Sequence, residues 1–358
     1  MNRSKLFILV FTFIGLVIFS TSCKKDKNTS RPIDTGVYGW AVGDTISGYG
    51  TILYTNNSGK TWIRQGNAQT IPNTFFNDVC VIDKKNVWVA GRNIEGFATI
   101  LKTSDGGETW IRLGSEQNIP DVELTGISAI NNNIAWAAGA EGIILKTTDG
   151  GINWTQQNKG KLSNVPFQMI YATDDNNVWT VGIGDTLAVI LHTSDGGNTW
   201  ARQGLDSLHS GNIPNALIDV HAINHNVAWT VGPGQALYTL DGGETWTNKN
   251  TPLGPLHNNG VCVINENIVW VASDYKHICK LTHLDSTWVL QSSPAGLPSA
   301  EYMGITAFNE YSAWIVSVNL EVYGGYILYT NDGGNTWVEQ TSPVNVSLRM
   351  ISFAGALR

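Results

Sequence analysis

The chain is short of charge, of arginine and of cysteine, and each shortage narrows what it can be. Only 14% of its 358 residues are Asp, Glu, Lys or Arg, while 42% are hydrophobic and 14 are Trp. A disordered chain needs the opposite balance, high charge and few aromatics. Bases number 22 against 29 acids, so there is no basic field to displace counterions from a phosphate backbone, which argues against nucleic acid as a partner. The four cysteines, Cys23, Cys80, Cys262 and Cys279, have no metal-type spacing and form no disulfide framework. Cys80 and Cys262 lie in equivalent apolar runs, Val79-Cys80-Val81-Ile82 and Val261-Cys262-Val263-Ile264, where a thiol serves as a small buried hydrophobe.

The first 22 residues read as a secretory signal. Arg3 and Lys5 precede an apolar run from Leu6 to Phe19, a fitting signal core that is shorter than the ~20 residues of a bilayer span. Ser20-Thr21-Ser22-Cys23 then resembles the lipobox of bacterial lipoproteins, with Ser20 where Leu is usual. That resemblance implies acylation of Cys23. The alternative is an ordinary signal cut nearby, leaving a free thiol. Residues 23–35, beginning Cys23-Lys24-Lys25-Asp26-Lys27-Asn28, are polar and unpatterned, as a flexible tether should be. The expected address is the bacterial cell envelope, with a monomeric domain held at the membrane through Cys23 on the periplasmic or cell-surface side of the outer membrane.

From residue 36 to 358 the chain repeats itself. A Thr-x-Asp-Gly-Gly-x-Thr-Trp pattern, intact or degraded, ends at Trp62, Trp110, Trp154, Trp200, Trp246, Trp288 and Trp337. A second Trp precedes each copy, at Trp40, Trp88, Trp136, Trp179, Trp229, Trp270 and Trp314, so seven pairs account for all 14 tryptophans. Each unit holds a short buried strand ending in Gly (Val87-Trp88-Val89-Ala90-Gly91), a variable loop, a second strand (Thr99-Ile100-Leu101-Lys102-Thr103), the box turn and an outer strand. Between units lies a further apolar strand such as Leu124-Thr125-Gly126-Ile127-Ser128-Ala129. Four short strands per ~45 residues describe a propeller blade. The expected fold is all-β: a seven-bladed propeller of four-stranded blades.

Within the box, Asp can accept bonds from backbone N–H groups across the bend, and glycines supply positive φ angles. Asp105, Asp149, Asp195, Asp241 and Asp332 are therefore read with the box tryptophans as a folding staple. The first copy carries Asn57 in place of Asp, and the sixth is shortened to Thr282-His283-Leu284-Asp285-Ser286-Thr287-Trp288; both turns are expected to be looser. The first unit lacks its leading strand, while Ser347-Leu348-Arg349-Met350-Ile351-Ser352-Phe353-Ala354 has no unit after it. Pairing the two completes blade one and removes an open sheet edge.

The repeat Gly-Trp-Ala-Val-Gly followed by Ile-Leu-x-Thr-x-Asp-Gly-Gly-x-Thr-Trp resembles the photosystem II assembly/stability factor family, within the wider Asp-box (BNR) group of propellers. The resemblance implies the fold and, in photosynthetic members, an assembly factor that binds a membrane-protein precursor. Those members are associated with an arginine-bearing patch. Here Arg64, Arg112 and Arg202 recur two residues after the box Trp, which points to stacking or edge protection on outer strands.

The same wider group includes sialidases and other glycosidases. A sialidase needs three arginines for a carboxylate, a Tyr nucleophile with its Glu, and an acidic Asp. Arg31 lies in the tether, and no second or third arginine falls on a suitable loop. Glu95, Asp185, Asp274 and Glu321 occupy loops where paired carboxylates could serve a glycosidase. Seven histidines are scattered without metal spacing. No catalytic residue, metal or cofactor is assigned. The expected function is a non-catalytic, membrane-anchored scaffold for a protein or peptide partner, with a glycan-binding or glycan-cleaving protein as the alternative. The loops opposite the box turns vary, so partner-binding residues are sought there: Tyr49, Arg92, Glu95, Phe97, Asp185, Tyr275, Glu321 and Tyr323. The aromatics suit a peptide or a sugar, unless they pack against neighbouring loops.

Overall fold

The computed structural model describes residues 37–157, 165–204, 216–291, 296–319 and 323–356. The signal, the tether with Cys23, and Glu321 lie outside these residues. The described strands form seven antiparallel four-stranded sheets. Six blades use four consecutive strands, and the first is completed by Leu348–Phe353, which pairs with Gly39–Ile46. The innermost strands are Phe76–Val81, Leu124–Ala129, Phe167–Ala172, Asp219–Ala222, Asn258–Asn265, Glu301–Ala307 and Leu348–Phe353. Each touches the next, and the last touches the first, so the ring is closed.

Why seven sheets form one body is visible in their tryptophans. The first Trp of every pair is fully buried on the second strand of its blade. In five blades it meets the box Trp of the following blade: Trp88–Trp154, Trp136–Trp200, Trp179–Trp246, Trp229–Trp288 and Trp270–Trp337 stand nearly perpendicular with centroids 5.8–6.1 Å apart. This edge-to-face arrangement suits the ring quadrupoles. The cross-strand neighbour of each first Trp covers its face: Tyr54, Lys102, Lys146, His192, Tyr238, Lys280 and Tyr329. The three lysines sit 4.4 Å from the indole centroid. Their ammonium groups donate onward to box carbonyls of the next blade, at Gly150, Gly196 and Gly333. One side chain therefore joins two blades through a cation–π contact and a charge-assisted hydrogen bond.

Innermost strands are also bridged by side chains. Asp78 and Asp219 are buried, and each accepts the N–H of the next blade's innermost strand, from Ile127 at 2.7 Å and Val261 at 2.8 Å. Ser128 and His221 likewise accept from Ala172 and Val263, and Cys80 accepts from Ala129. Such bonds satisfy main-chain donors that no sheet ladder reaches. Cys80, Cys262 and Cys279 are buried thiols; burial pushes the Cys279 thiol up to about 12.

The box turns follow one wiring. In blade two, Thr103 Oγ1 donates to Asp105 Oδ1 at 2.7 Å and accepts from Gly107 N, while Asp105 accepts from Thr109 N and from Thr109 Oγ1. Burial opposes the charge on Asp105, but the threonine bonds outweigh it and hold the carboxyl at about 2. The second box glycine has two reasons to be Gly. Its φ is near +90° in five blades, as in Gly151 at +92° and Gly243 at +91°, and a Cβ there would lie 2.7–3.2 Å from the buried Trp behind Gly151, Gly197, Gly243 and Gly334. The first box is no looser than the rest. Asn57 Oδ1 accepts from Thr55 Oγ1 and Thr61 N, and its amide donates to Thr61 Oγ1. An amide can do what the carboxylate does because the hydroxyl proton simply reverses direction. The sixth turn is built differently, with Ser286 donating to His283 O and Leu284 N donating to Asn267 Oδ1.

Candidate partner-binding face

Innermost strands start, and the loops between second and third strands lie, on the face opposite the box turns. At the axis of this face is a cavity of about 190 Å³. One residue from each blade lines it: Arg349, Asn77, Thr125, Gln168, Ile218, Asn259 and Met303 in ring order, with Glu123, Met169 and Met350 completing the wall. These seven hold equivalent positions, each directly after a buried residue at or next to the start of its innermost strand, so the ring follows from the repeat itself.

Much of the lining is locked sideways. Thr125 Oγ1 donates to Phe167 O of the next blade at 2.8 Å. Asn77 Nδ2 donates to Leu124 O and to Glu123, which also receives Arg92 Nε at 3.1 Å. Arg349 is paired with Asp44 at 2.8 Å. Both guanidinium groups lie near the Phe75 ring, at 4.8 and 5.9 Å. The arginines of the mouth are therefore gathered on blades one and two, each neutralised by its own carboxylate.

The nominated loop residues separate into two groups. Arg64 stacks 3.4 Å from the Tyr49 ring and donates to Ile46 O and Tyr49 O. Arg112 repeats this on Phe97 at 3.7 Å, bonding Ile94 O and Phe97 O and pairing with Glu95 at 3.0 Å. Tyr49, Phe97 and Glu95 thus help clamp two loops, and the recurring arginines stack as their spacing implies. Arg202 is exposed and has no such partner among the described residues. Arg92 belongs to the axial network just described. Asp185 is exposed. Tyr275 is 62% and Tyr323 89% exposed, both at left-handed φ, +53° and +43°. Tyr275 and Tyr323 are on the loops of blades six and seven, and they are the free aromatics of this face. Sequence reasoning missed the axial ring, because its members share neither type nor charge.

Ring, box and closure together define the class: a seven-bladed Asp-box propeller closed by its terminal strand. Residues 111–212 match the family described as Photosynthesis system II assembly factor YCF48. Among solved structures it is similar to YCF48 bound to D1 peptide, with TM-score 0.58 and 21% identity over 76% of this chain and 84% of that one. It is also similar to YCF48 from Cyanidioschyzon merolae, with TM-score 0.58 and 17% identity over 76% of this chain and 88% of that one. The GH74 enzyme of Niastella koreensis aligns with TM-score 0.50 and 12% identity, over 86% of this chain and 67% of that one. At such identities the likeness is one of fold. A search of curated proteins gives no match.

Proposed function

We propose that the protein is a non-catalytic scaffold that grips a peptide segment of a protein partner on its loop face, across the axial cavity. One observation carries this reading: an open depression of mixed polar and apolar lining ringed by all seven blades, on the face whose loops carry two exposed tyrosines. The similar YCF48 structure holding a D1 peptide supports a peptide as the occupant. The carboxylates nominated for a glycosidase do not favour one: Glu95 is tied to Arg112, and Asp274 is tied to Asn259.

The proposal extends to placement. Cys23 carries the lipid anchor at the bacterial envelope, and the chain enters the propeller on the box face, where Val37 O accepts Ser58 N at 3.1 Å. Crosslinked capture from cells, run beside a glycan array and a hydrolysis screen on the full chain, tests the reading. A specific protein partner is expected. Specific glycan hydrolysis abolished by one carboxylate substitution would refute it.

A further inference from the structure

The axial mouth contains one arrangement twice, with a single change of sign. Asn77 in blade two and Asn259 in blade six occupy the same place in their strands. Each Nδ2 donates to a carbonyl of the next blade, Leu124 O at 2.8 Å and Tyr302 O at 3.1 Å, and to a carboxylate, Glu123 at 2.9 Å and Asp274 at 2.8 Å. Both amides have thus used their hydrogens, and each leaves its oxygen as an acceptor. The next blade supplies a glutamate at matching positions, Glu123 and Glu301, each just before the first buried residue of the innermost strand.

Between blades two and three, Arg92 neutralises Glu123. Between blades six and seven, the position of Arg92 is held by Asp274. Its side chain is only 14% exposed, and it lies close enough to Glu301 that burial and its charge raise the Glu301 carboxyl. Among the described residues no lysine or arginine pairs with either acid; His257, 3.9 Å from Asp274, is the basic group present. Tyr275 follows Asp274 directly and is exposed, and Met303 lines the adjoining cavity wall. No group of three or more metal-type ligands occurs among the described residues, so a side-chain cation suits the place better than an ion.

Building on the peptide-binding reading, we propose that the axial mouth takes a lysine or arginine side chain of the partner. Its cationic head is held by Asp274, Glu301 and the Asn259 carbonyl, and its methylene stem lies along Met303 and Tyr275. Asn259 and Met303 line the cavity, and acceptors at this rim beside an exposed aromatic match both halves of such a side chain.

The test is a positional-scanning nonapeptide library passed over the immobilised full chain. Lysine or arginine should be enriched at one position, and Asp274→Arg, which copies Arg92, should cut retention of those peptides roughly tenfold or more, as loss of a charged hydrogen bond does. Asp274→Asn and Glu301→Gln serve the same purpose with less disturbance, and Trp fluorescence checks that each variant is folded. Glu108→Gln, exposed on a box turn of the opposite face, should leave retention unchanged. Peptides retained without basic preference, or a preference that survives in folded Asp274→Asn and Glu301→Gln, overturn this inference and leave the peptide-binding reading standing. Retention of no peptide overturns both.

Discussion

The closure of the ring rests on one mismatched pair of residues. In the other six blades, the position of Phe353 is held by Val81, Ala129, Ala172, Ala222, Val263 and Ala307, and its cross-strand partner by Val or Ala. In blade one the pair is Phe353 with Gly39. The phenyl ring is 1% exposed, 4.3 Å from Trp314 of blade seven and 6.0 Å from Trp62 of blade one, and a Cβ on Gly39 would come within 2.3 Å of it. Phe353→Ala should therefore cost about 3–5 kcal/mol, the usual loss for a buried phenyl. Gly39→Ala alone should cost about 1–3 kcal/mol through overpacking. The double variant recreates the Ala135–Ala129 pair of blade three, and the clash disappears with the ring. It should be less destabilised than the two losses added together, by about 1–2 kcal/mol. Urea unfolding of the full chain followed by Trp fluorescence measures all four species. Additivity within about 0.3 kcal/mol would refute the claim that this pair keys the seam.

Three further outcomes follow from the geometry. Asp105→Asn should stay within about 0.5 kcal/mol of the parent, because Asn57 wires the first box equally well, whereas Asp105→Ala should lose about 1–2 kcal/mol in urea titrations; a larger loss from Asn would show that charge itself is required. Burial holds His192 neutral over Trp179, its pKa at about 4 against 6.5 for a free imidazole. Between pH 6.5 and 4 the unfolded chain binds a proton that the folded one refuses, so stability falls as pH falls through this window, by at most about 1.4 kcal/mol per pH unit. His192→Tyr, which installs the cover of blades one, five and seven, should flatten that part of the urea midpoint against pH, and an unchanged slope would contradict the assignment. Tyr275→Ala with Tyr323→Ala should weaken partner capture while leaving Tm unmoved, since both side chains are exposed; a fall in Tm would mark them as structural.

The fold was legible because its signals are local and recur. Paired tryptophans and the Asp-Gly-Gly turn fix blade number, and the orphaned strand at Leu348–Phe353 with the missing strand before Gly39 fixes closure. What escaped depends on register between strands. Nothing local marks Lys102, Lys146 and Lys280 until pairing sets each over a tryptophan. Asp78 and Asp219 look like unexplained acids in apolar runs until the next blade presents its N–H. Tyr49 and Phe97 read as free aromatics because the arginines that cover them lie 15 residues onward. The axial mouth was least visible of all. Each blade gives it one residue of a different kind, and no motif joins Asn259, Asp274 and Glu301 before the ring is assembled.

The most direct test of the peptide-gripping face is site-specific photocrosslinking in cells, with the reactive group placed at Tyr275 on the loop face or at Asn335 on a box turn. A partner adduct from position 275, with none from 335, is the predicted result. Adducts confined to position 335 would contradict it and move recognition to the opposite side of the ring.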